Sequence, residues 1–340
     1  MTDLRSLTPE ELRAALQDMG QPSFRADQIF DWLHRKKVRT LDEMTNLPKA
    51  LREKLKEDFT LSTLTLHTRQ ISRDGTRKYL FLLPDRQAVE SVLMHYDYGS
   101  TVCVSSQVGC RMGCHFCAST IGGLSRDLLP GEMLEQIYRI EEDAGLTVNH
   151  LVVMGTGEPL DNLDNLIRFL RLLTHPAGKN LSERNITVST CGLVPQIARL
   201  AEEHLGITLA LSLHAPSDEL RRTMMPIANR YTIAETLAAC DAYFAATGRR
   251  MSYEYSLVRG VNDQPEHAQA LSALLKGKNC HVNLIPVNPV AERSYEASQE
   301  ASVARFQKIL EKNGINATIR KKMGADIDGA CGQLRRRLME

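Results

Sequence analysis

The sequence contains no long apolar run and almost no net charge, and we expect no secretory leader. No stretch approaches the ~18 consecutive apolar residues that cross a bilayer, and the opening segment, MTDLRSLTPEELRAAL, is polar and amphipathic. Lys and Arg number 42 against 41 Asp and Glu, so the net charge of +1 by itself indicates no charged partner. We therefore expect a cytoplasmic protein without a membrane segment, in which any contact with nucleic acid needs a local basic surface.

The chain also lacks internal repeats and low-complexity segments. A hydrophobic content of 43% and a charged content of 24% are ordinary for a soluble globular enzyme. A length of 340 residues suffices for one large α/β core with a small appendage.

Residues 1–60 have the pattern of a small helical accessory domain. Thr8 is placed to cap a first helix, with Pro9 at the first helical position and Glu11 three residues after the cap. Two more helical patterns follow, FRADQIFDWLHRKK and LPKALREKLKEDF. The Lys/Arg-rich face of this domain is either a solvated surface or an RNA contact, and composition alone favours the solvated surface.

The pattern then changes twice. Residues 61–98 alternate between apolar and polar positions and predict an antiparallel β extension with a hairpin at Asp74-Gly75. Strands and helices alternate six times over residues 99–320, which predicts a partial (β/α)6 TIM-like barrel. Residues 321–340 form a C-terminal segment after the last strand.

The active site of such a barrel lies at the carboxyl ends of its strands. The residues suited to catalysis or to ligand binding do lie just after, or at the end of, predicted strands. They are Cys110–Cys117, Gly155–Pro159, Ser189–Cys191, Ser212–His214 and Asn288.

Three of the eight cysteines form the spacing C-x3-C-x2-C at Cys110, Cys114 and Cys117. A cytosolic chain has little use for a disulfide framework, so this group is better explained as a set of metal ligands. Three thiolates can bind three irons of a [4Fe–4S] cluster and leave the fourth iron open. A structural zinc site is the alternative, although it needs a fourth ligand and His115 is poorly placed to supply one.

An open iron can chelate the amino and carboxylate groups of S-adenosylmethionine (SAM). The cysteine spacing, Phe116 before the last cysteine and the six β/α units resemble the radical SAM superfamily. The turn containing Gly157 and Glu158 resembles that superfamily's GGEP motif, with Glu158 as an acceptor for the SAM ammonium. Further SAM contacts are expected from residues at the ends of later strands: Ser189, Ser212, Leu213, His214 and Asn288.

The remaining cysteines differ in context. A small buried apolar position is one interpretation of Cys103, Cys191, Cys240 and Cys280, and it fits Cys240 and Cys280 well. Cys331 lies in the small-residue stretch GADIDGACGQL, which is a poor core position and suits a loop that delivers a thiol into a site.

The whole chain is similar to the RNA adenine-C2 methyltransferase family RlmN. The resemblance is carried by VESVLM, CVSSQVGC, GTGEPLDN, VSTCGLVP, SLHAPSDELRRTMMPI, HVNLIPVNP and GADIDGACGQLR. It implies a methyltransferase acting on adenine C2 of 23S rRNA and of the tRNA anticodon loop, with two SAM molecules per turnover. It also implies an external one-electron reductant such as flavodoxin, a monomeric enzyme and an RNA-binding role for residues 1–60.

The same resemblance assigns catalytic roles. Cys331 is the methyl carrier through an S-methylcysteine, Glu90 accepts the C2 proton, and Cys103 releases the product by forming a transient disulfide with Cys331. On sequence alone, Glu90 would be a surface carboxylate. Two alternatives remain open: the related Cfr family, which methylates C8 of the same rRNA adenosine, and a non-enzymatic iron–sulfur or zinc RNA-binding protein.

Overall fold

The computed structural model describes residues 1–334. Ten α-helices are present in this range: α1 (Pro9–Asp18), α2 (Phe24–His34), α3 (Lys49–Asp58), α4 (Pro130–Ala144), α5 (Leu163–Thr174), α6 (Val194–Glu202), α7 (Asp218–Met224), α8 (Ile233–Thr247), α9 (Pro265–Leu275) and α10 (Glu300–Lys312). The same range contains fourteen strands: β1 (Thr2–Asp3), β2 (Phe59–Thr60), β3 (Thr65–Ile71), β4 (Arg77–Leu82), β5 (Ala88–Tyr96), β6 (Gly99–Val104), β7 (Gln107–Gly109), β8 (Leu124–Asp127), β9 (His150–Val153), β10 (Ile186–Thr190), β11 (Thr208–Ser212), β12 (Met251–Leu257), β13 (Cys280–Pro286) and β14 (Ala317–Ile319).

Ten of these strands form one sheet in the order β14-β13-β12-β11-β10-β9-β6-β5-β4-β3. The seven strands from β6 to β14 pair in parallel, and β3, β4 and β5 extend this sheet with antiparallel pairing. Helices connect the successive parallel strands, as right-handed crossovers require. The expected partial (β/α)6 barrel with a β extension is confirmed, and its two edges are β3 and β14.

The parallel strands are buried along most of their length, which explains their nearly continuous apolar composition. Leu151 and Val153 of β9, Val188 of β10 and Leu209 of β11 are each fully shielded from solvent. The outer faces pack against α4 to α10, and the inner faces line the interior of the barrel. The carboxyl ends of β9 to β13 therefore meet at one end of the molecule, where the site lies.

The helical region at the start of the chain packs on α4 through buried polar groups. Its first helix begins with the expected capping box, in which Thr8 and Glu11 exchange hydrogen bonds. Arg5 is completely buried and forms an ion pair of 3.2 Å with Glu135 of α4. The Ser6 hydroxyl accepts a 2.9 Å bond from the Gly131 amide at the first turn of α4. The helical region is therefore anchored to the barrel by buried contacts, in addition to presenting an exposed surface.

The antiparallel extension has two different faces. Val89, Ser91 and Leu93 are buried on the outer face of the sheet, where the Ser91 hydroxyl donates to Gln136 of α4. Because side chains alternate along a strand, Glu90 and Val92 point to the interior. Glu90 is only 3% exposed, so the sequence-based placement of this carboxylate on the surface is wrong.

The turn between β3 and β4 holds the C-terminal segment in place. The Asp74 carboxylate accepts a 2.9 Å bond from the Gly324 amide, and Asp326 accepts bonds from the Ser72 hydroxyl and the Arg73 amide. Burial alone would raise the pKa of Asp74, but these amide and hydroxyl donors lower it to about 2. The segment that carries Cys331 is thereby attached to the antiparallel extension.

Two local elements were not expected from the sequence. A short helix, α7, follows β11, and a small antiparallel hairpin of β7 and β8 frames the cysteine loop. Within residues 1–334, no helix is long and apolar enough to cross a membrane. The last six residues of the predicted C-terminal segment, 335–340, lie outside the described residues.

Candidate active site

The cysteine loop leaves the barrel between β7 and β8. The Cys110 amide donates to the Gly123 carbonyl at 3.1 Å, which closes the base of the loop. Gly109 has a positive φ of 81°, and a Cβ there would come within 2.0 Å of the Gly123 oxygen. A side chain at position 109 would therefore force the two ends of the loop apart.

The thiols of Cys110, Cys114 and Cys117 line one cavity of about 150 Å³. Burial raises the pKa of all three thiols, that of Cys110 to about 12. Buried thiols that disfavour the thiolate need a bound cation to ionise, and iron supplies that charge. The donor set and its placement thus fit a cysteine-ligated cluster.

A mononuclear zinc site fits less well. Within residues 1–334, no three His, Cys, Asp or Glu side chains converge on a point where a single metal ion would sit. The thiolates of a cubane cluster bind different irons and need no such convergence. The His115 ring also turns away from the thiols, because its Nδ1 lies 2.8 Å from the Thr223 carbonyl and bonds to it.

The glycine turn after β9 borders the same cavity. Gly157 has a φ of 111°, and a Cβ there would lie 2.7 Å from the Gln107 side chain. The Glu158 carboxylate is buried and accepts bonds from the amides of Leu160 and Cys191, at 3.1 and 2.8 Å. Burial raises its pKa, although these amide donors oppose the shift.

The ends of β10 and β11 contribute hydroxyl and imidazole groups. The Ser189 and Ser212 hydroxyls lie 3.4 Å apart on the cavity wall. His214 accepts the Ser256 amide at Nδ1, so its Nε2 carries the proton. Burial, helped by Arg221, lowers the pKa of His214 to about 3, so the ring is a neutral donor.

Leu213 occupies a different environment from its neighbours. Its side chain lies in the apolar core and is not among the residues that line the cavity. Its amide donates to the Glu254 carbonyl, and its carbonyl accepts the Arg221 guanidinium. A contact from Leu213 to SAM stays a prediction.

The C-terminal segment bonds directly to the cysteine loop. The Ala118 amide donates to the Gly332 carbonyl at 2.7 Å, and the Ser119 hydroxyl donates to the Leu334 carbonyl at 2.8 Å. The Asn288 amide group, expected to contact SAM, donates to the Cys331 carbonyl at 3.0 Å. These bonds place Cys331 on the wall of the cavity that the cluster thiols line.

Cys103 and Cys331 share a second, smaller cavity of about 40 Å³. Cys103 packs there against Val92, Met94 and Met323. Burial, together with the nearby Cys331, raises the pKa of Cys103 to about 12. The expected disulfide between the two is not supported, because all eight cysteines are free thiols in this structure.

Glu90 lies on the same interior face of β5 as Val92 and Met94. Its carboxylate forms a 2.8 Å ion pair with Lys78 of β4, and both side chains are almost completely buried. Lys78 thus places an ammonium group beside this carboxylate. No motif in the sequence predicts the pairing of Glu90 with Lys78, because it depends on the register of two antiparallel strands.

Sequence reasoning missed two residues of the site, Arg221 and Arg320. Arg221 is fully buried and donates to the carbonyls of Cys191, Ser212 and Leu213, which holds the ends of β10 and β11 together. Cys191, predicted at a strand end near the site and also interpretable as a small core residue, lines the cluster cavity. Arg320 follows β14 and lines both thiol-containing cavities. The run LRRTMMPI was the available signal for Arg221.

Two family models match the chain. The radical SAM superfamily matches residues 104–271, and the ribosomal RNA large subunit methyltransferase N-terminal domain matches residues 2–61. The described cysteine loop, glycine turn and strand ends all lie in the first of these regions or close after it. The helical region on α4 corresponds to the second.

Curated relatives match the chain over its full length. The probable dual-specificity RNA methyltransferase RlmN of Lachnospira eligens is 57% identical and covers 100% of this chain and 97% of the relative. The protein of the same name from Lachnoclostridium phytofermentans is 57% identical over 98% of this chain and 94% of the relative. The chain belongs to the RlmN family of radical SAM RNA methyltransferases.

A solved structure agrees with this membership. A radical SAM methyltransferase from Sphaerobacter thermophilus is 45% identical, covers 99% of this chain and 100% of its own, and superposes with a TM-score of 0.94. The expected enzyme class and the resemblance to RlmN are therefore confirmed. Membership in the RlmN family implies an RNA substrate, a [4Fe–4S] cluster and SAM.

Replacing one cluster ligand should remove iron without unfolding the chain. In anaerobically reconstituted Cys114→Ala, we expect iron and sulfide to fall from about four per chain to well below one, because two thiolates hold a cubane poorly. Elemental analysis and the visible absorption of the cluster measure this loss. Cys240→Ala, which removes a buried thiol on α8, is the matched control and should retain iron; equal loss in both variants would contradict the assignment.

Proposed function

We propose that this enzyme methylates C2 of adenine 2503 in 23S rRNA, and an adenine in the tRNA anticodon loop, by way of Cys331. The observation that carries the proposal is the position of Cys331. This thiol borders the cavity of the three cluster cysteines on one side and shares a small cavity with Cys103 on the other. A thiol between a radical source and a second thiol suits a carrier that is loaded, used and then released.

The cluster cavity supplies suitable ligands for both bound groups. Cys110, Cys114 and Cys117 would hold the [4Fe–4S] cluster. Glu158, the Nε2–H of His214 and the hydroxyls at the strand ends, Ser189 and Ser212, would hold SAM. When bound, the cluster and SAM supply the one-electron chemistry that removes hydrogen from an unactivated methyl group.

Before that hydrogen is removed, the methyl group is loaded onto Cys331. The Cys331 sulfur attacks the methyl carbon of one SAM molecule, so a new sulfur–carbon bond forms as the bond from the sulfonium to the methyl group breaks and S-adenosylhomocysteine leaves. Adenine C2 has little nucleophilicity, which excludes the same direct displacement by RNA. The carbon on Cys331, after losing one hydrogen, forms a bond to adenine C2, and the adduct gives up the C2 proton and one electron, which the cluster would take back. Because this carbon stays attached to Cys331, a local encounter replaces a difficult bimolecular one.

Glu90 and Cys103 complete the reaction on the other side of Cys331. The Glu90 carboxylate, which forms an ion pair with Lys78, accepts the proton that leaves C2. Cys103 attacks the Cys331 sulfur and forms a disulfide bond as the bond between that sulfur and the transferred carbon breaks. The electron pair left on this carbon takes up a proton, which completes the methyl group and releases methylated RNA. An external reductant then restores the two thiols; we propose that the enzyme works as a cytoplasmic monomer with a flavodoxin-type electron donor.

Nucleoside mass spectrometry tests the proposal. We expect 2-methyladenosine in 23S rRNA and tRNA from cells that express the protein, and its loss when the gene is deleted. Detection of 8-methyladenosine would instead assign the Cfr-type reaction, which the names of the relatives disfavour. Unchanged nucleosides, with purified enzyme that binds RNA but transfers no methyl group, would favour a non-enzymatic RNA-binding protein.

A further inference from the structure

A large cavity opens at the end of the barrel opposite to the cysteine loop. Its volume is about 680 Å³, which is in the range of cavities that hold small organic ligands. It is lined by the amino-terminal parts of the parallel strands, including Thr101 of β6, Thr187 of β10, Thr208 of β11 and Thr318 of β14. We call this opening the amino-terminal mouth. None of the steps described above uses it.

The amino-terminal mouth is positively charged. Arg249, Arg250, Arg320 and Lys321 line it, against the single carboxylate of Glu254. Arg249 donates to the Thr208 hydroxyl at 3.2 Å, while Arg250 is exposed. A local excess of cations on a chain of nearly zero net charge is the pattern that a polyanionic partner requires.

An exposed aromatic ring stands at the rim. Tyr98, in the turn between β5 and β6, is 64% exposed. One face of its ring is stacked on Tyr96, with centroids 4.9 Å apart and planes inclined by 7°, and His150 contacts it edge-on. A tyrosine fixed in this way, with most of its surface in solvent, is a ready platform for stacking of an unpaired base.

The amino-terminal mouth leads toward the thiol pair. Met154 and Arg320 line the mouth, the small cavity of Cys103 and Cys331, and the cluster cavity. Met94 and Tyr96 line both the mouth and the small cavity. Met94 and Met154 both line the small cavity and the mouth, and flexible methionine side chains can be displaced by an entering base.

The position of the helical region also indicates that RNA binds at the amino-terminal end of the barrel. Lys36 and Lys37 border a surface cavity together with Gly145 and Thr147, the residues that lead from α4 toward the start of β9. His150, the first residue of β9, is the residue that contacts Tyr98. The basic end of α2 and the amino-terminal mouth therefore lie at the same end of the fold.

We propose that the RNA lies across the amino-terminal end of the barrel and that the target adenine reaches Cys331 through the amino-terminal mouth. Arg250 contacts the phosphate backbone, and Tyr98 stacks with a nucleotide of the unpaired segment. This inference rests on the proposed function, in which the opposite end of the barrel is occupied by the cluster and SAM. The substrate is thus a flexible single-stranded loop, because a base must leave its stack to enter.

The test is RNA binding and methyl transfer with an anticodon stem-loop RNA and the reconstituted full chain. For Arg250→Glu we expect a KM for RNA roughly tenfold higher than that of the wild type. A plot of log Kd against the logarithm of the salt concentration should also become shallower, with a slope smaller by about 0.7, the value for one lost phosphate contact to single-stranded RNA. Tyr98→Ala should raise the KM at least about fivefold, as loss of one stacked base predicts. Tyr98→Phe, which keeps the ring, should stay within about twofold.

Arg305→Glu is the charge-matched control, since Arg305 is an exposed arginine of α10 outside the mouth. It should leave the KM unchanged. The inference is overturned if Arg250→Glu and Tyr98→Ala have the KM of the wild type, or if Arg305→Glu weakens binding as much as Arg250→Glu does. Iron content and thermal midpoint of each variant check its fold, and Arg250→Gln replaces Arg250→Glu if that variant fails this check. A wild-type enzyme that transfers no methyl group would instead overturn the proposed function.

Discussion

Cys331→Ala is expected to reduce methyl transfer to RNA by about a thousandfold or more, to the detection limit. The reason is that no other described thiol borders both the cluster cavity and the cavity of Cys103. Loss of a group that forms a covalent intermediate removes the whole route, unlike loss of a group that only assists it. Transfer of a radiolabelled methyl group from SAM to a 23S rRNA fragment measures the effect.

The variant Cys103→Ala distinguishes the role of Cys103 from that of Cys331. This variant should load Cys331 and attack RNA, but it should then accumulate a covalent protein–RNA adduct, visible as a shifted band on a denaturing gel. Cys331→Ala should give no such adduct. Cys280→Ala, at the start of β13 and outside both cavities, is the control and should retain full activity. Substantial methyl transfer by Cys331→Ala would exclude the carrier mechanism.

Arg5→Met is expected to lower the free energy of unfolding by about 3 kcal/mol. The Arg5 guanidinium donates to the carbonyls of Leu33, Val38 and Ser62, and it pairs with Glu135, all in a region without solvent. Methionine fills much of the volume but leaves three carbonyls and one carboxylate without this donor. Removing one partner of a buried ion pair typically costs about 3–5 kcal/mol, and Arg139, which also contacts Glu135 at 3.3 Å, offsets part of that loss.

Urea denaturation followed by circular dichroism measures this change. Arg13→Met on α1 is the control, because its ion pair with Asp27 is exposed and should contribute less than about 1 kcal/mol. The double variant Arg5→Met/Glu135→Gln should be more stable than the sum of the two single changes predicts, since it leaves no unpaired buried charge. Equal stability of Arg5→Met and Arg13→Met would show that the buried network contributes little.

Local signals in the sequence predicted the parts of the site that depend on strand ends. In a parallel barrel, the residue after each strand reaches the same end of the molecule. This is why the cysteine loop, Glu158, Ser189, Ser212 and His214 were predicted together and lie around one cavity. The helix cap at Thr8 was equally predictable, because it depends on contacts within one turn.

Long-range register was not predictable in the same way. The pairing of Glu90 with Lys78 depends on how β5 aligns with β4, and the burial of Arg5 depends on where the helical region meets α4. The direction of the Leu213 side chain was also not predictable, since its neighbours at the end of β11 face the cavity while this side chain points into the core. The docking of the C-terminal segment involves partners as distant as Ser72 and Ser119, and no short-range pattern encodes it.

The small cavity that Cys103 shares with Cys331 has room for only about three water molecules. A tripeptide thiol or the active site of a redox protein is far too large to enter it. An oxidised form of this pair is therefore within reach of a bulky reductant only after Met94 and Met154 or the C-terminal segment have moved. The bonds of that segment to Asn288 and Ser119 oppose the second movement.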